Sequence, residues 1–209
     1  TPELTEEGMR HPVGQALMNG VGQQNWGPWY SMSTGTARGD ATTLMTNGNN
    51  NPLLTLGNVG DGRVAILSSD QNAIWASGHQ GGGPATSLYR SLTGWLTENP
   101  RYEEENLTLR QEDGAIIIEL QTMEDTPETV IVTTPSGEEI EVAPEQQQPG
   151  VFTARLQAEE NGAYRARRAS DAGTKSYVGM GFDDRTEIES VISDTDVIRP
   201  LTDKTEGLT

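Results

Sequence analysis

The sequence predicts an α/β layer over residues 1–100, an all-β sandwich over residues 101–181 and a partly helical tail over residues 182–209. Three observations support this division. A strand, a loop and a helix can be traced from Val59 to Trp95, and seven short apolar runs separated by turn residues follow Pro100. The charge also changes there, because residues 1–100 carry 7 acidic and 4 basic side chains, whereas residues 101–209 carry 24 and 10.

The strand and helix of the first part are predicted from two apolar patterns. Residues 63–67 form a short aliphatic run after the turn dipeptide Asp61-Gly62, which predicts a buried strand, with residues 52–56 as its hairpin partner. Apolar residues at helical spacing predict a helix that has Pro84 in its first turn and ends before Asn99-Pro100. These residues are Leu88, Leu92, Trp95 and Leu96.

The second part has the strand spacing of an immunoglobulin-like sandwich. Its apolar or alternating runs cover residues 107–109, 115–120, 129–133, 139–142, 152–156, 163–166 and 176–180. Turn pairs such as Asp113-Gly114 and Asn161-Gly162 separate them, as is typical of such sandwiches. We expect Ile116, Ile118 and Leu120 to face the core, with Ile117 and Glu119 outward. Tyr164 is expected to point inward, with its hydroxyl bonded to backbone.

Composition excludes several classes of function. The chain has 209 residues and a net charge of −17, which disfavours nucleic acid or an anionic membrane surface as a partner. The absence of Cys excludes disulfides, thiolate metal sites and a cysteine nucleophile. No apolar run reaches the roughly 20 residues of a membrane-spanning helix and no signal peptide is recognised, so we expect a soluble chain.

Several motifs of the first part resemble one bacterial family. They are Gly60-Asp61-Gly62-Arg63-Val64-Ala65, Leu67-Ser68-Ser69-Asp70-Gln71, Trp75-Ala76, Gly81-Gly82-Gly83-Pro84 and Trp95-Leu96. The chain resembles the C-terminal soluble part of large inner-membrane proteins that contain a class I glutamine amidotransferase-like domain, often with von Willebrand factor A-type modules. The resemblance implies that residues 1–100 are the C-terminal part of an amidotransferase or flavodoxin-like layer. It also implies a periplasmic location, a membrane anchor outside this fragment and a protein partner in the bacterial envelope.

The same resemblance argues against glutaminase activity. Active members need an activated Cys nucleophile and a His-x-Glu pair after a late strand. Here the strand ending at Ser68 is followed by Ser69-Asp70-Gln71-Asn72, and no Cys is present. The favoured function is therefore a non-catalytic interaction module that needs no cofactor. The alternative is a hydrolase or amidotransferase whose nucleophile lies upstream, with Asp70 or His79 assisting.

Three further groups of residues are candidate sites, and for each of them a purely structural role is favoured. A triad of Ser68 or Ser69 with His79 and Asp70 is disfavoured, because no G-x-S-x-G elbow is present. The loop containing Gly81, Gly82 and Gly83 opens a helix and is a candidate anion cradle, although a plain flexible connection is favoured.

Trp26, Trp29 and Tyr30 form the remaining candidate, a stacking surface for a sugar or a partner. The alternative, which we favour, is a loop folded back onto the α/β layer. No metal site is predicted, because Asp183-Asp184 and Asp194-x-Asp196 lack the spacing of a calcium loop. A homodimer through an apolar sheet edge is a further expectation.

Overall fold

The computed structural model describes residues 1–19, 26–170 and 175–181. Of the first hundred residues, the described ones form one four-stranded antiparallel sheet with four helices. In chain order the elements are β1 (Glu3–Leu4), α1 (Glu6–Arg10), α2 (Pro12–Met18), β2 (Thr42–Thr46), β3 (Pro52–Val59), β4 (Gly62–Leu67), α3 (Asn72–Ala76) and α4 (Ala85–Leu96). Single 3₁₀ turns lie at His79–Gly81 and Pro100–Tyr102. The predicted tail, residues 182–209, lies outside the described residues.

The β3–β4 hairpin confirms the predicted pairing but moves its turn by one residue. Leu54 pairs with Leu67 and Leu56 with Ala65, in antiparallel orientation. The two-residue loop is Gly60-Asp61 and not Asp61-Gly62, since Gly62 already pairs with Val59. Gly60 has a φ of 61°, which glycine reaches without the steric cost that a Cβ would add.

The expected amidotransferase or flavodoxin-like α/β layer is not shown by the described residues. The strand order is β1-β2-β3-β4, and every neighbouring pair is antiparallel. Parallel pairing needs a crossover of a dozen or more residues, whereas two residues connect β3 to β4. The helices nevertheless cover one face of this sheet, and the buried apolar side chains from Leu4 to Trp95 form a single cluster there.

Helix α4 is the main helix of that layer. Leu88, Leu92 and Trp95 are buried, as their helical spacing predicts. Pro84 occupies the N-cap position, one residue before the helix, and not the first turn. Leu96 was expected on the apolar face, but it is 40% exposed, because it follows Trp95 by one position and so points away from the sheet.

The described residues between 106 and 181 form two four-stranded antiparallel sheets around a second apolar cluster. One sheet has the order β5-β6-β10-β9 and the other β12-β11-β7-β8. The strands are β5 (Asn106–Glu112), β6 (Ala115–Gln121), β7 (Val130–Thr133), β8 (Glu139–Val142), β9 (Glu145–Gln148), β10 (Val151–Gln157), β11 (Gly162–Arg168) and β12 (Lys175–Met180). A β-sandwich is thus observed, with one strand more than predicted. The additional strand β9 has the sequence Glu-Gln-Gln-Gln, which has no apolar residue to reveal it.

Side-chain alternation in the sandwich follows the prediction closely. Ile116, Ile118 and Leu120 are buried in the core. Tyr164 is 2% exposed, and its hydroxyl both accepts from the Glu160 N–H and donates to the Glu160 carbonyl. Ile117 lies outside the core cluster, as predicted, yet it is only 8% exposed. Its cross-strand neighbours are Arg110 and Arg155, and arginine is a residue whose aliphatic stem commonly covers apolar surface.

Candidate functional site

The loop that follows β4 is organised by one serine. The Ser69 hydroxyl donates to the Ser31 carbonyl at 2.5 Å and accepts hydrogen bonds from the Trp29 indole N–H and from the Gln71 amide. The segment around residues 29–31 is thereby tied to the end of the strand. A serine held by three such contacts acts as an anchor for the loop, which removes it as a candidate nucleophile in this conformation.

Asp70 and His79 do not line the same cleft. Asp70 is exposed and borders a surface cleft with Ser31, Ser33 and Ile66. His79 is exposed in its own 3₁₀ turn, is absent from that cleft, and has its ring centroid 6.0 Å from that of Tyr30. General acid–base catalysis needs both groups within hydrogen-bond reach of one reacting atom. The described residues therefore provide no shared catalytic pocket for this pair.

The aromatic segment folds back around Trp75. Trp26 is 4% exposed and meets the Trp75 ring edge-on at 5.6 Å, while the Trp29 ring lies 4.9 Å from it. Tyr30 is half exposed and donates its hydroxyl hydrogen bond to Gln80 Oε1 at 2.8 Å. Of the three residues predicted as a stacking surface, only Tyr30 presents substantial ring area to solvent.

The glycine loop serves the same tryptophan. The amides of Gly81, Gly82 and Gly83 donate to the carbonyls of Gly78, His79 and Trp75 at 3.2, 3.0 and 3.1 Å. Because these three N–H groups are already bonded, they do not form an anion cradle in this conformation. A Cβ at position 83 would overlap the Trp75 ring, so the glycine is required for close packing.

The face of the first sheet opposite the helices carries exposed apolar side chains. We call it the outer face and define it by Thr55, Val59, Val64 and Ile66. Val59 is 69% exposed, Val64 41% and Ile66 57%. The strand predicted to be buried is therefore covered on one side only, where Ala65 and Leu67 pack against the core. Apolar patches of this kind commonly mark interaction sites.

The outer face is continuous with two adjoining clefts. Both are bordered by Arg38, Ala41, Thr55 and Ile66, and their volumes are about 380 and 220 Å³. The chain segment from Gly35 to Ala41 forms the far wall, so the clefts lie between this segment and the strands. The sequence analysis missed this feature, because every residue from Val64 to Leu67 is apolar and no polar alternation marks a solvent side.

A second cluster that sequence reasoning missed joins the two halves of the chain. His11 is 1% exposed, its Nε2 lies 3.1 Å from Glu104 Oε1, and its ring meets Trp95 edge-on at 6.0 Å. The Arg63 guanidinium lies over the Trp95 ring, 5.1 Å from its centroid, and donates to both carboxylate oxygens of Glu103 at 2.9 and 2.7 Å. We call these five residues the junction cluster.

Electrostatics in the junction cluster follow from these contacts. The hydrogen bond from His11, with a further one from Trp95, holds the pKa of the Glu104 carboxyl below its usual range. The hydrogen-bonded Glu103 carboxylate raises the pKa of the Arg63 guanidinium. His11 is buried against Glu104 and Trp95 and is not accessible to a ligand. The junction cluster therefore has the features of a structural contact between the first sheet and the sandwich.

Comparisons with known proteins found no matching family model, no matching curated protein and no matching solved structure. Within residues 1–19, 26–170 and 175–181, no group of three or more His, Asp or Glu side chains is placed to hold a metal ion. No helix in this described part is both long enough and apolar enough to span a membrane.

Proposed function

We propose that the chain is a non-catalytic interaction module of a bacterial envelope membrane protein, and that the outer face of its first sheet binds a protein partner in the periplasm. In this proposal residues 1–100 are a degenerate amidotransferase-like part and residues 101–181 an immunoglobulin-like sandwich. The observation that carries it is the exposure of Val59, Val64 and Ile66 together on one face.

The chemistry of that face favours a protein partner. It combines β-branched and aliphatic side chains with the small residue Gly57, whose Cβ position would touch Ala41 at 3.4 Å. A flat apolar surface beside shallow clefts suits an apolar strand or helix from another protein and offers few polar groups for a small polar substrate. Asp70 and His79, the only catalytic candidates of the alternative enzyme reading, do not share a cleft.

The proposal can be tested by site-specific photo-crosslinking in intact bacterial cells. A photoreactive residue replaces Ile66 in the full-length protein, and in a matched control it replaces Tyr89, which is 41% exposed on the helix side. We expect a discrete protein adduct from position 66 and none from position 89, and Val64→Asp should abolish it. Equal labelling at both positions would contradict the proposed binding face.

A glutaminase assay distinguishes the proposed interaction module from the alternative, a hydrolase or amidotransferase. We expect the full-length protein to release no ammonia from glutamine above the uncatalysed rate. Turnover that is lost on both Asp70→Asn and His79→Gln, with folding unchanged by circular dichroism, would establish the enzyme reading instead.

A further inference from the structure

On the outward side of the sheet β12-β11-β7-β8, basic side chains lie toward one edge and acidic side chains toward the other. We call this side the polar face. Basic side chains occupy its β11 and β12 side, where Arg165, Arg167 and Lys175 lie, and Tyr177 between them is 62% exposed. Acidic side chains occupy the β8 side, where Glu139 and Glu141 are exposed. Three of the protein's 14 basic residues thus share one face of a strongly acidic chain.

Strand register places these charges in two rows that cross the sheet. One row runs Tyr177, Arg165, Thr133, Glu139, and the next runs Lys175, Arg167, Ile131, Glu141. The inward side chains of the same strands, including Tyr164 and Val132, are buried in the sandwich core, so the alternate residues of the rows point outward. Each row is therefore basic or aromatic at one end and acidic at the other.

These charges are only partly neutralised within one chain. Arg167 reaches Glu139 at a distance of 3.5 Å. Lys175 and Glu141 lie on opposite edge strands, three strand spacings apart, which is about 14 Å at 4.8 Å per spacing. A lysine side chain does not span that distance, so this end-to-end pair is unable to form inside one molecule.

The geometry points to a second copy of this chain as the occupant of the polar face, docked face to face about a two-fold axis parallel to the strands. Such an axis exchanges the two edges of the sheet and preserves position along the strands. It places Lys175 over the second copy's Glu141, and Tyr177 over the second copy's Glu139. The basic edge of each copy then lies against the acidic edge of the other, so charges that do not pair within one chain pair between two.

The size of the face indicates a weak and reversible association. Four strands give a face roughly 19 Å wide, and interfaces that bury less than about 1,200 Å² in total are commonly transient. The net charge of −17 opposes association at long range, but salt screens this repulsion beyond roughly 8 Å at physiological ionic strength. The polar face is separate from the outer face of the first sheet, so the inference does not depend on the proposed function.

Charge-reversal variants of the whole chain test this arrangement. Arg167→Glu with Lys175→Glu, the acidic-face variant, reverses two of the three basic side chains and leaves only Arg165 basic on this face. Glu139→Lys with Glu141→Lys, the basic-face variant, reverses both acidic side chains of the face. We expect the natural chain to dimerise in sedimentation equilibrium at about 0.15 M salt and protein concentrations up to about 1 mM, and each double variant to dimerise at least about tenfold more weakly. An equimolar mixture of the two variants should form a heterodimer, because both cross-contacts are then complementary.

Two matched controls remove the effect of net charge. Arg90→Glu with Arg101→Glu produces the same change in net charge as the acidic-face variant, and Glu124→Lys with Glu159→Lys the same as the basic-face variant, all at exposed positions elsewhere. Both controls should dimerise like the natural chain. The basic-face variant is the sharper test, because it lowers the overall repulsion yet is expected to lose the homodimer.

Three outcomes would overturn the inference. They are a natural chain that stays monomeric over this range, double variants that dimerise as well as their controls, and a mixture in which the heterodimer fails to form. Circular dichroism on every variant verifies folding. If a double variant does not fold, the single changes Lys175→Glu and Glu141→Lys, mixed in the same way, give the same test.

Discussion

His11 donates a hydrogen bond from Nε2 to Glu104 across the joint between the two halves of the chain. Its other ring nitrogen, Nδ1, accepts from the Val13 N–H at 3.1 Å and so caps helix α2. Because Nδ1 acts as an acceptor, the ring proton resides on Nε2, and the tautomer is set by the helix end. One buried imidazole therefore connects the N-terminal helices to the segment that leads into the sandwich.

The first prediction concerns the acid stability of this joint. The pKa of Glu104 is lower in the folded protein than in the unfolded chain, so the unfolded state binds more protons in this range. The stabilising contribution is complete above the unfolded pKa and is lost as the pH falls through the folded value. Glu104→Gln should lower stability at pH 7 by about 1 kcal/mol or less, since the side chain is partly exposed.

Urea unfolding of both proteins at neutral and at acid pH measures this effect. The difference in unfolding free energy between Glu104→Gln and the natural chain should shrink toward zero as the pH falls through the lowered pKa of Glu104. Glu159→Gln, an exposed carboxylate in the loop after β10, serves as the control and should show no such pH dependence. A difference that stays constant with pH would argue that the carboxylate charge has no role in the joint.

The second prediction concerns Trp95, the largest buried side chain of helix α4. It is 2% exposed, contacts His11 edge-on and lies beneath the Arg63 guanidinium. Trp95→Ala removes this packing and leaves a cavity, so it should lower the unfolding free energy by about 3–5 kcal/mol. Trp95→Phe retains a ring and should cost markedly less. Thermal melts of both variants test the ordering, and an unshifted melt for Trp95→Ala would contradict the helix packing.

The difference between predictable and unpredictable features is clearest in two pairs of residues. Ile116 and Ile118 were predicted to be buried, because alternation along a strand assigns side chains to faces when one face is partly polar. Val64 and Ile66 lie in the run 64–67, which is apolar at every position, so alternation within it gives no information about the solvent side. An apolar run of this kind predicts a buried strand, and such runs are typical of parallel sheets, which are covered on both faces.

The junction cluster illustrates a different limit. His11 and Glu104 are 93 residues apart in the sequence, and no local pattern around either residue predicts their contact. The tandem acids Glu103, Glu104 and Glu105 were visible in the sequence, but a run of charges usually indicates a solvated segment. Only the three-dimensional arrangement of α2, α4 and β4 brings their partners together. By contrast, the Asp113-Gly114 turn is predicted from two adjacent residues, because this dipeptide tolerates the positive φ values that a tight hairpin turn requires. Both residues have a positive φ in the structure.

The third prediction concerns the packing role of the glycine loop, which requires a residue without a Cβ at position 83. Gly83→Ala would push a methyl group into the Trp75 ring. We expect a loss of about 1–3 kcal/mol in unfolding free energy, as for overpacked interiors. Gly35→Ala is the control, because a Cβ at position 35 meets nothing within 4 Å. Equal stability of the two variants would show that the loop does not hold the ring as described.

The fourth prediction concerns the hydroxyl of Tyr164, which bridges the backbone of Glu160 at the start of strand β11. The oxygen accepts from the Glu160 N–H at 3.0 Å and donates to the Glu160 carbonyl at 3.1 Å, in a nearly solvent-free position. Tyr164→Phe leaves these backbone groups without that partner, so it should lower the unfolding free energy by about 1–3 kcal/mol while the ring keeps its place in the core. Tyr177→Phe, at a 62% exposed position, should change it by less than about 0.5 kcal/mol in dilute solution. Urea unfolding of the two variants side by side tests this difference. If Tyr164→Phe were as stable as Tyr177→Phe, the loop before β11 would not depend on the hydroxyl, and its conformation would have to come from the packing of the ring alone.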